Sequence, residues 1–318
     1  CICFLIVESF FNGLRGLNFH PVDHVMRLHG PTGLFAHPNS LGGVTAGVLP
    51  FLYYLFFYER RIWRKILIIV IALMAARVII WTGSRTAWVG TLALMGFIWW
   101  YSRRKIVLAL CGVVLLVTAW VAMPPVMKAR FITLGETVKV VEGKEQVSSM
   151  STRWQLMKDE WGVFLKYPLT GVGINSFPQA RLRIYGRWQP HHNTYLQALA
   201  DLGIIGFAAF AYLIYTIWSN LRQAAARGDP EHDDPFITTM TLTLWVFLLT
   251  RLTVGMFGGD LYENYWWIAG GLSIVLLNIA REQSAESDAG DQPEEPVQTN
   301  EPATKKPKRP RWKSTVVQ

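Results

Sequence analysis

At 318 residues, 51% hydrophobic and only 17% charged, this chain carries too little charge for a soluble domain of its size. Its net charge of +9 gathers at the ends of apolar runs and in the C-terminal tail, which argues for membrane orientation and anionic headgroups rather than for nucleic acid. Its three cysteines, Cys1, Cys3 and Cys111, lie in apolar segments without CxxC or Cys/His spacing, so neither a disulfide framework nor a zinc site is expected.

The chain opens at Cys1 inside an apolar run, and residues 1–12 read as the end of a span. A piece of a longer protein, lacking its first spans, is the expectation. Residues 13–36 read as an outer loop with Pro and Gly. Spans are expected at 38–58, 66–82, 86–102, 106–123, 198–218, 236–256 and 264–280, each near the roughly 20 residues that cross a hydrocarbon core. Ile66 to Trp81 is broken only by Arg77, and Ile106 to Met123 carries no charge. Basic clusters at Arg60-Arg61-Ile62-Trp63-Arg64-Lys65, at Arg103-Arg104-Lys105 and at Arg222 with Arg227 fall in alternate loops. By the positive-inside rule those loops are cytoplasmic, which puts the Thr82–Arg85 turn, the 124–195 loop and the 257–263 turn outside. The expected fold class is therefore all-α: a polytopic transmembrane helix bundle with a large periplasmic loop containing short helices. Its parts are a bundle over 1–123, the periplasmic loop over 124–195, a second bundle over 196–282 and a disordered cytoplasmic tail over 283–318. The tail is rich in Pro, Glu, Ser and Lys, acidic first and basic last, and lacks the apolar content to fold. No internal repeat is evident.

Ionisable residues at the outer boundary of such a bundle mark a site more often than a packing solution. His191-His192-Asn193-Thr194-Tyr195 lies where the long polar loop re-enters an apolar helix. His192 is the candidate for proton transfer, because an imidazole near its ordinary pKa can take a proton from a hydroxyl. Asn193 can orient substrate hydroxyls or cap the following helix, and His191 points away from His192 if the segment is helical. Arg85, in the Gly83-Ser84-Arg85 turn, presents a permanently charged planar fork that matches phosphate oxygens. Arg153 follows Ser151 and Thr152, a helix-start signal, and a cation in a first turn opposes the helix dipole unless it serves an anion. Arg77 lies inside a span and needs a wet cavity or a carboxylate partner such as Glu263; an ion pair ranks slightly above a direct role. Asp201, Asp260 and Glu263 read as isolated, and neither a metal-ligand spacing nor a nucleotide phosphate loop is present.

In chain order, Gly33-Leu34-Phe35-Ala36-His37-Pro38-Asn39-Ser40, Gly83-Ser84-Arg85, Arg153-Trp154, Pro168-Leu169-Thr170-Gly171-Val172-Gly173-Ile174-Asn175, His192-Asn193-Thr194-Tyr195-Leu196 and Asp201-Leu202-Gly203-Ile204-Ile205-Gly206 resemble the O-antigen ligase and polymerase superfamily of bacterial inner-membrane proteins. The resemblance covers about residues 28–280. It implies a glycosyltransferase that moves a glycan from undecaprenyl pyrophosphate to an acceptor hydroxyl at the periplasmic face of the inner membrane, without a metal or other cofactor. By resemblance Arg85 and Arg153 bind the pyrophosphate and His192 is the base; Arg77, Asn193, His191 and Asn39 are candidate supporting residues. The partners implied are the lipid-linked donor, membrane lipids and a glycolipid, glycan or protein acceptor. A ligase to lipid A core, a repeat-unit polymerase and a protein O-glycosylation ligase share this chemistry. A lipid-linked sugar transporter and a non-catalytic scaffold stand well behind.

Overall fold

The computed structural model describes residues 2–22, 25–31, 37–102, 104–125, 128, 138–141, 144–147, 149–227 and 235–290. Ten helices and two antiparallel hairpins are formed among them. The helices are α1 (Ile2–Leu14), α2 (Pro38–Tyr58), α3 (Ile62–Thr82), α4 (Arg85–Tyr101), α5 (Lys105–Val121), α6 (Ser149–Lys166), α7 (Phe177–Tyr185), α8 (Thr194–Arg227), α9 (Pro235–Gly255) and α10 (Asn264–Gly290). The hairpins are β1 (Phe19–Val22) with β2 (Val25–Leu28), and β3 (Val138–Val141) with β4 (Lys144–Val147).

This is an all-α, polytopic architecture. α2, α3, α8 and α9 are long and apolar enough to cross a membrane. Helices satisfy nearly all of their backbone groups internally, the solution open to a single segment of chain in hydrocarbon. α3 begins at Ile62, a turn before the apolar run, so Arg64 and Lys65 are helical. α10 runs on to Gly290, so the first residues of the expected tail continue a helix; residues 291–318 lie outside the described residues.

The core has two lobes. α8, α9 and α10 enclose Phe210, Ile217, Leu221, Leu244, Leu248 and Trp266. α1, α2 and α3 enclose Ile6, Val48, Leu52 and Ala75. α9 also packs on α2 and α4 and joins the lobes. Small residues permit that contact: a β-carbon on Gly90 would stand 2.6 Å from Val254. The helix directions then place Arg60, Arg61, Arg64, Arg104 and Arg227 at one end of the bundle. The N-termini of α2, α4, α8 and α10 lie at the other, with α6 and α7 beside them.

α8 contains a break at Gly203 (φ 66°, ψ −166°). The loop after α6 fills it. Val172 N–H donates to Ala200 O (3.0 Å) and Gly173 N–H to Asp201 O (2.8 Å), while Ile204 N–H donates to Pro168 O (2.8 Å) and Ile205 N–H to Leu169 O (3.3 Å). These replace the 204→200 and 205→201 bonds that an unbroken helix would make. The loop is thus stitched into the helix that follows the histidines.

Candidate active site

The 191–193 segment is not helical, and α8 starts at Thr194. Asn193 caps it: its Oδ1 accepts from Tyr195 N–H and Leu196 N–H, each at 3.0 Å, and its Nδ2 donates to Met256 O at 3.1 Å. Of the two roles open to Asn193, capping is the one the geometry uses.

The neighbouring histidines have opposite surroundings. His191 is buried, and both ring nitrogens face carboxylates: Nδ1 lies 2.8 Å from Glu160 Oε1 and Nε2 lies 3.2 Å from Asp201 Oδ2. Its ring stacks on Phe177 at 4.5 Å. Burial opposes a charge on this ring, but the hydrogen-bonded carboxylates of Asp201 and Glu160 outweigh it and raise its pKa. Burial raises the pKa of Glu160, against the His191 hydrogen bond that lowers it. His192 is half-buried, and its backbone N–H stabilises the same Glu160 carboxylate.

Asp201 is far from isolated. Its carboxylate also accepts from Asn175 N–H (3.1 Å), Phe177 N–H (3.0 Å) and Tyr262 O–H (3.0 Å). Burial and the Asp201 charge push the Tyr262 phenol well above its ordinary pKa. Beside this cluster the buried Arg181 grips Asp159 at 2.8 Å and Gln189 at 3.1 Å, fixing the strand that leads to the histidines. Among the described residues no group of three or more His, Cys, Asp or Glu is arranged to hold a metal ion. The His191 ring, inserted between Glu160 and Asp201, keeps those two carboxylates apart.

Arg85 is the first residue of α4, half-buried. Gly83 ends α3 in the left-handed region (φ 54°), and Ser84 Oγ caps α4 by accepting from Ala87 N–H at 3.3 Å. Thr86 reaches Phe257 O at 3.4 Å, next to the Met256 carbonyl that Asn193 holds. Arg85 and His192 are therefore each one residue from a side chain anchored on the same corner after α9. Gly259 of that corner packs directly on His191. Asn39 joins from the start of α2: its Oδ1 accepts from Arg27 Nη2, and Arg27 Nε donates to Thr82 O at 2.6 Å.

Two expectations need correction. α6 begins at Ser149, so Arg153 lies in its second turn and the first-turn argument for an anion does not apply. Arg153 shares a face of α6 with the buried Leu156, Glu160 and Val163, seven residues before Glu160. Among the described residues Arg77 meets no carboxylate: its Nη1 donates to Ala122 O (3.2 Å) and its guanidinium lies over Trp81 (4.7 Å). It joins α3 to the end of α5. Glu263 stands instead near Arg251 and Asp260. Buried Arg251 of α9 pairs with Asp260 and Tyr265 and donates to Gly43 O at 3.0 Å, while Asp260 accepts from Thr194. Nothing in the spacing of Arg27, Glu160, Arg181 or Arg251 marks them. The one available signal was the cost of burying each charge, which holds for any partner.

A bundle with polar loop helices over clustered helix N-termini defines a multi-pass membrane protein with a candidate site at one end. A family model described as O-antigen ligase matches residues 70–211, a stretch that holds Arg77, Arg85, Arg153 and both histidines. Over these residues the chain is similar to the O-antigen ligase family, a likeness that suggests a glycosyltransferase-like bacterial membrane enzyme with a lipid-linked glycan and an acceptor as partners. No curated protein matches the chain.

Proposed function

We propose that this chain transfers a glycan from undecaprenyl pyrophosphate to an acceptor hydroxyl on the periplasmic side of the inner membrane, without a metal ion. The observation that carries this reading is the division of labour between the histidines. His191 is buried with both nitrogens on carboxylates, whereas the half-buried His192 stands directly before the Asn193 cap, and it is the ring we assign to proton transfer. His192 takes the acceptor proton as the acceptor oxygen bonds to the anomeric carbon. The bond from that carbon to the phosphate oxygen breaks, and the carrier diphosphate leaves with the electron pair. Arg85, at a helix N-terminus whose dipole favours anions, and Arg153 counter the developing charge. Attack from the side opposite the diphosphate inverts the anomeric centre. Lipid A core is the acceptor of a ligase; a growing polysaccharide or a protein would serve the same chemistry.

The test is transfer from undecaprenyl-pyrophosphate-linked oligosaccharide in liposomes containing the whole protein. His192→Ala lowers kcat by about a hundred- to ten-thousand-fold with little change in the donor KM. Arg85→Ala and Arg153→Ala raise the donor KM. Unimpaired transfer by His192→Ala removes the ring from the reaction. Carrier binding without transfer to any acceptor by the wild type moves transport to the front.

A further inference from the structure

We infer that Glu160 and His191 are positioning residues, through which the loop helix α6 sets the place of the His192 ring. The inference rests on the proposed role of His192. Glu160 is wholly buried, yet it lies on a helix outside the membrane core, where an exposed position would cost nothing. Its carboxylate holds the His191 side chain of another segment at 2.8 Å, directly before His192. A ring held by Glu160 at one nitrogen and by Asp201 at the other fixes the direction in which the chain turns there. The rest of the cluster removes slack. Phe177 supports the flat face of His191, Asp201 holds its far nitrogen, and Asp201 is tied by Asn175, Phe177 and Tyr262. The segment therefore has one orientation, with His191 inward.

α6 also carries Arg153 two turns before Glu160 on the same face, a separation of about 10 Å along the helix axis. If Arg153 meets the donor diphosphate, the rigid helix holds donor and base in register. Misplacing a reacting group by about 1 Å costs on the order of a hundredfold in rate. Glu160 touches no reacting atom in this scheme and acts only through the His191 ring it holds.

Two readouts on the whole protein in detergent or liposomes test this. The first is amide hydrogen exchange. Glu160→Ala speeds exchange across 189–194 at least tenfold while α2, α4 and α9 keep wild-type protection, which reports an intact bundle. Glu160→Gln, which keeps an acceptor of the same size, restores part of the protection. The second is transfer kinetics with the lipid-linked oligosaccharide. Glu160→Ala lowers kcat ten- to a hundredfold at unchanged donor KM, and Glu160→Gln recovers part of it. Wild-type exchange across 189–194 in Glu160→Ala overturns the anchoring, whatever reaction the protein performs. Altered exchange with wild-type kcat overturns the positioning role while leaving the anchor. If His192→Ala transfers normally, the function reading fails and the exchange result still decides the anchor.

Discussion

Glu263 shows at the scale of one residue how this end of the molecule handles charge. Burial, and then the charge of Asp260, raise its pKa to about 7, against the smaller pull of Arg251. The folded state thus holds a proton on this carboxyl between its ordinary 4.5 and about 7, where the unfolded chain has lost it. Its contribution to stability is present at low pH and declines as the pH rises through that window. Glu263→Gln is expected to raise the unfolding temperature in detergent at pH 8 and to leave it nearly unchanged at pH 5; equal shifts at both values would contradict this. A charge inside a span needs a wet cavity or a carboxylate, and Glu263 was one candidate partner for Arg77. Helix rotation decided otherwise, sending Arg77 to Trp81 and leaving Arg251 to meet Asp260. The turn and cap residues beside Arg85 and His192 were legible because their geometry is local. Glu160 and Asp201 were not, because their partners lie 31 and 10 to 61 residues away and depend on how α6 and the 257–263 turn dock.

At the scale of elements, the break in α8 carries the argument. Gly203 occupies a backbone region open essentially to glycine alone, and a β-carbon there would stand 2.3 Å from Leu169 O. Gly171 (φ 64°) faces it, with its own β-carbon position 2.3 Å from the Asp201 carbonyl carbon. Neither backbone can approach so closely with a side chain in the way. Gly203→Ala is expected to cost about 1–3 kcal/mol from backbone strain alone, more once the loop is displaced. It should free the four stitching bonds, so that exchange rises at Val172, Gly173, Ile204 and Ile205 before it rises in α9 or α10. An unchanged pattern would mean that the loop is held by its side chains. Apolar runs were enough to reveal the long helices, since burial in lipid makes composition decisive. They could not reveal this break, because an apolar run with one glycine reads as continuous. The β1–β2 and β3–β4 hairpins were missed for a related reason: four-residue strands are too short for alternation to stand out.

At the scale of the whole molecule, the site and the basic loops occupy opposite ends, and the reading of the reaction depends on which end meets the periplasm. Helix direction and loop charge are separate properties, yet they agree here. Arg60, Arg61 and Arg104 flank the α2–α3 and α4–α5 turns, while Arg85, Asn193 and the 256–260 corner cluster across the bundle. Positive charge resists translocation, so the orientation we propose keeps the arginine-rich turns in the cytoplasm and turns the histidine end outward. The exposed Trp188, three residues before His191, and the exposed Arg61 are suitable reporters. With Cys1, Cys3 and Cys111 replaced by serine, a cysteine at 188 should react with a membrane-impermeant maleimide in intact spheroplasts. A cysteine at 61 should react only after permeabilisation. The reverse pattern would place the histidines in the cytoplasm, where a glycan already carried across the membrane is out of reach. Arg85, Arg153 and His192 would then have to serve a reaction on the inner leaflet, and transfer to a periplasmic acceptor would be excluded whatever the mutants at His192 show.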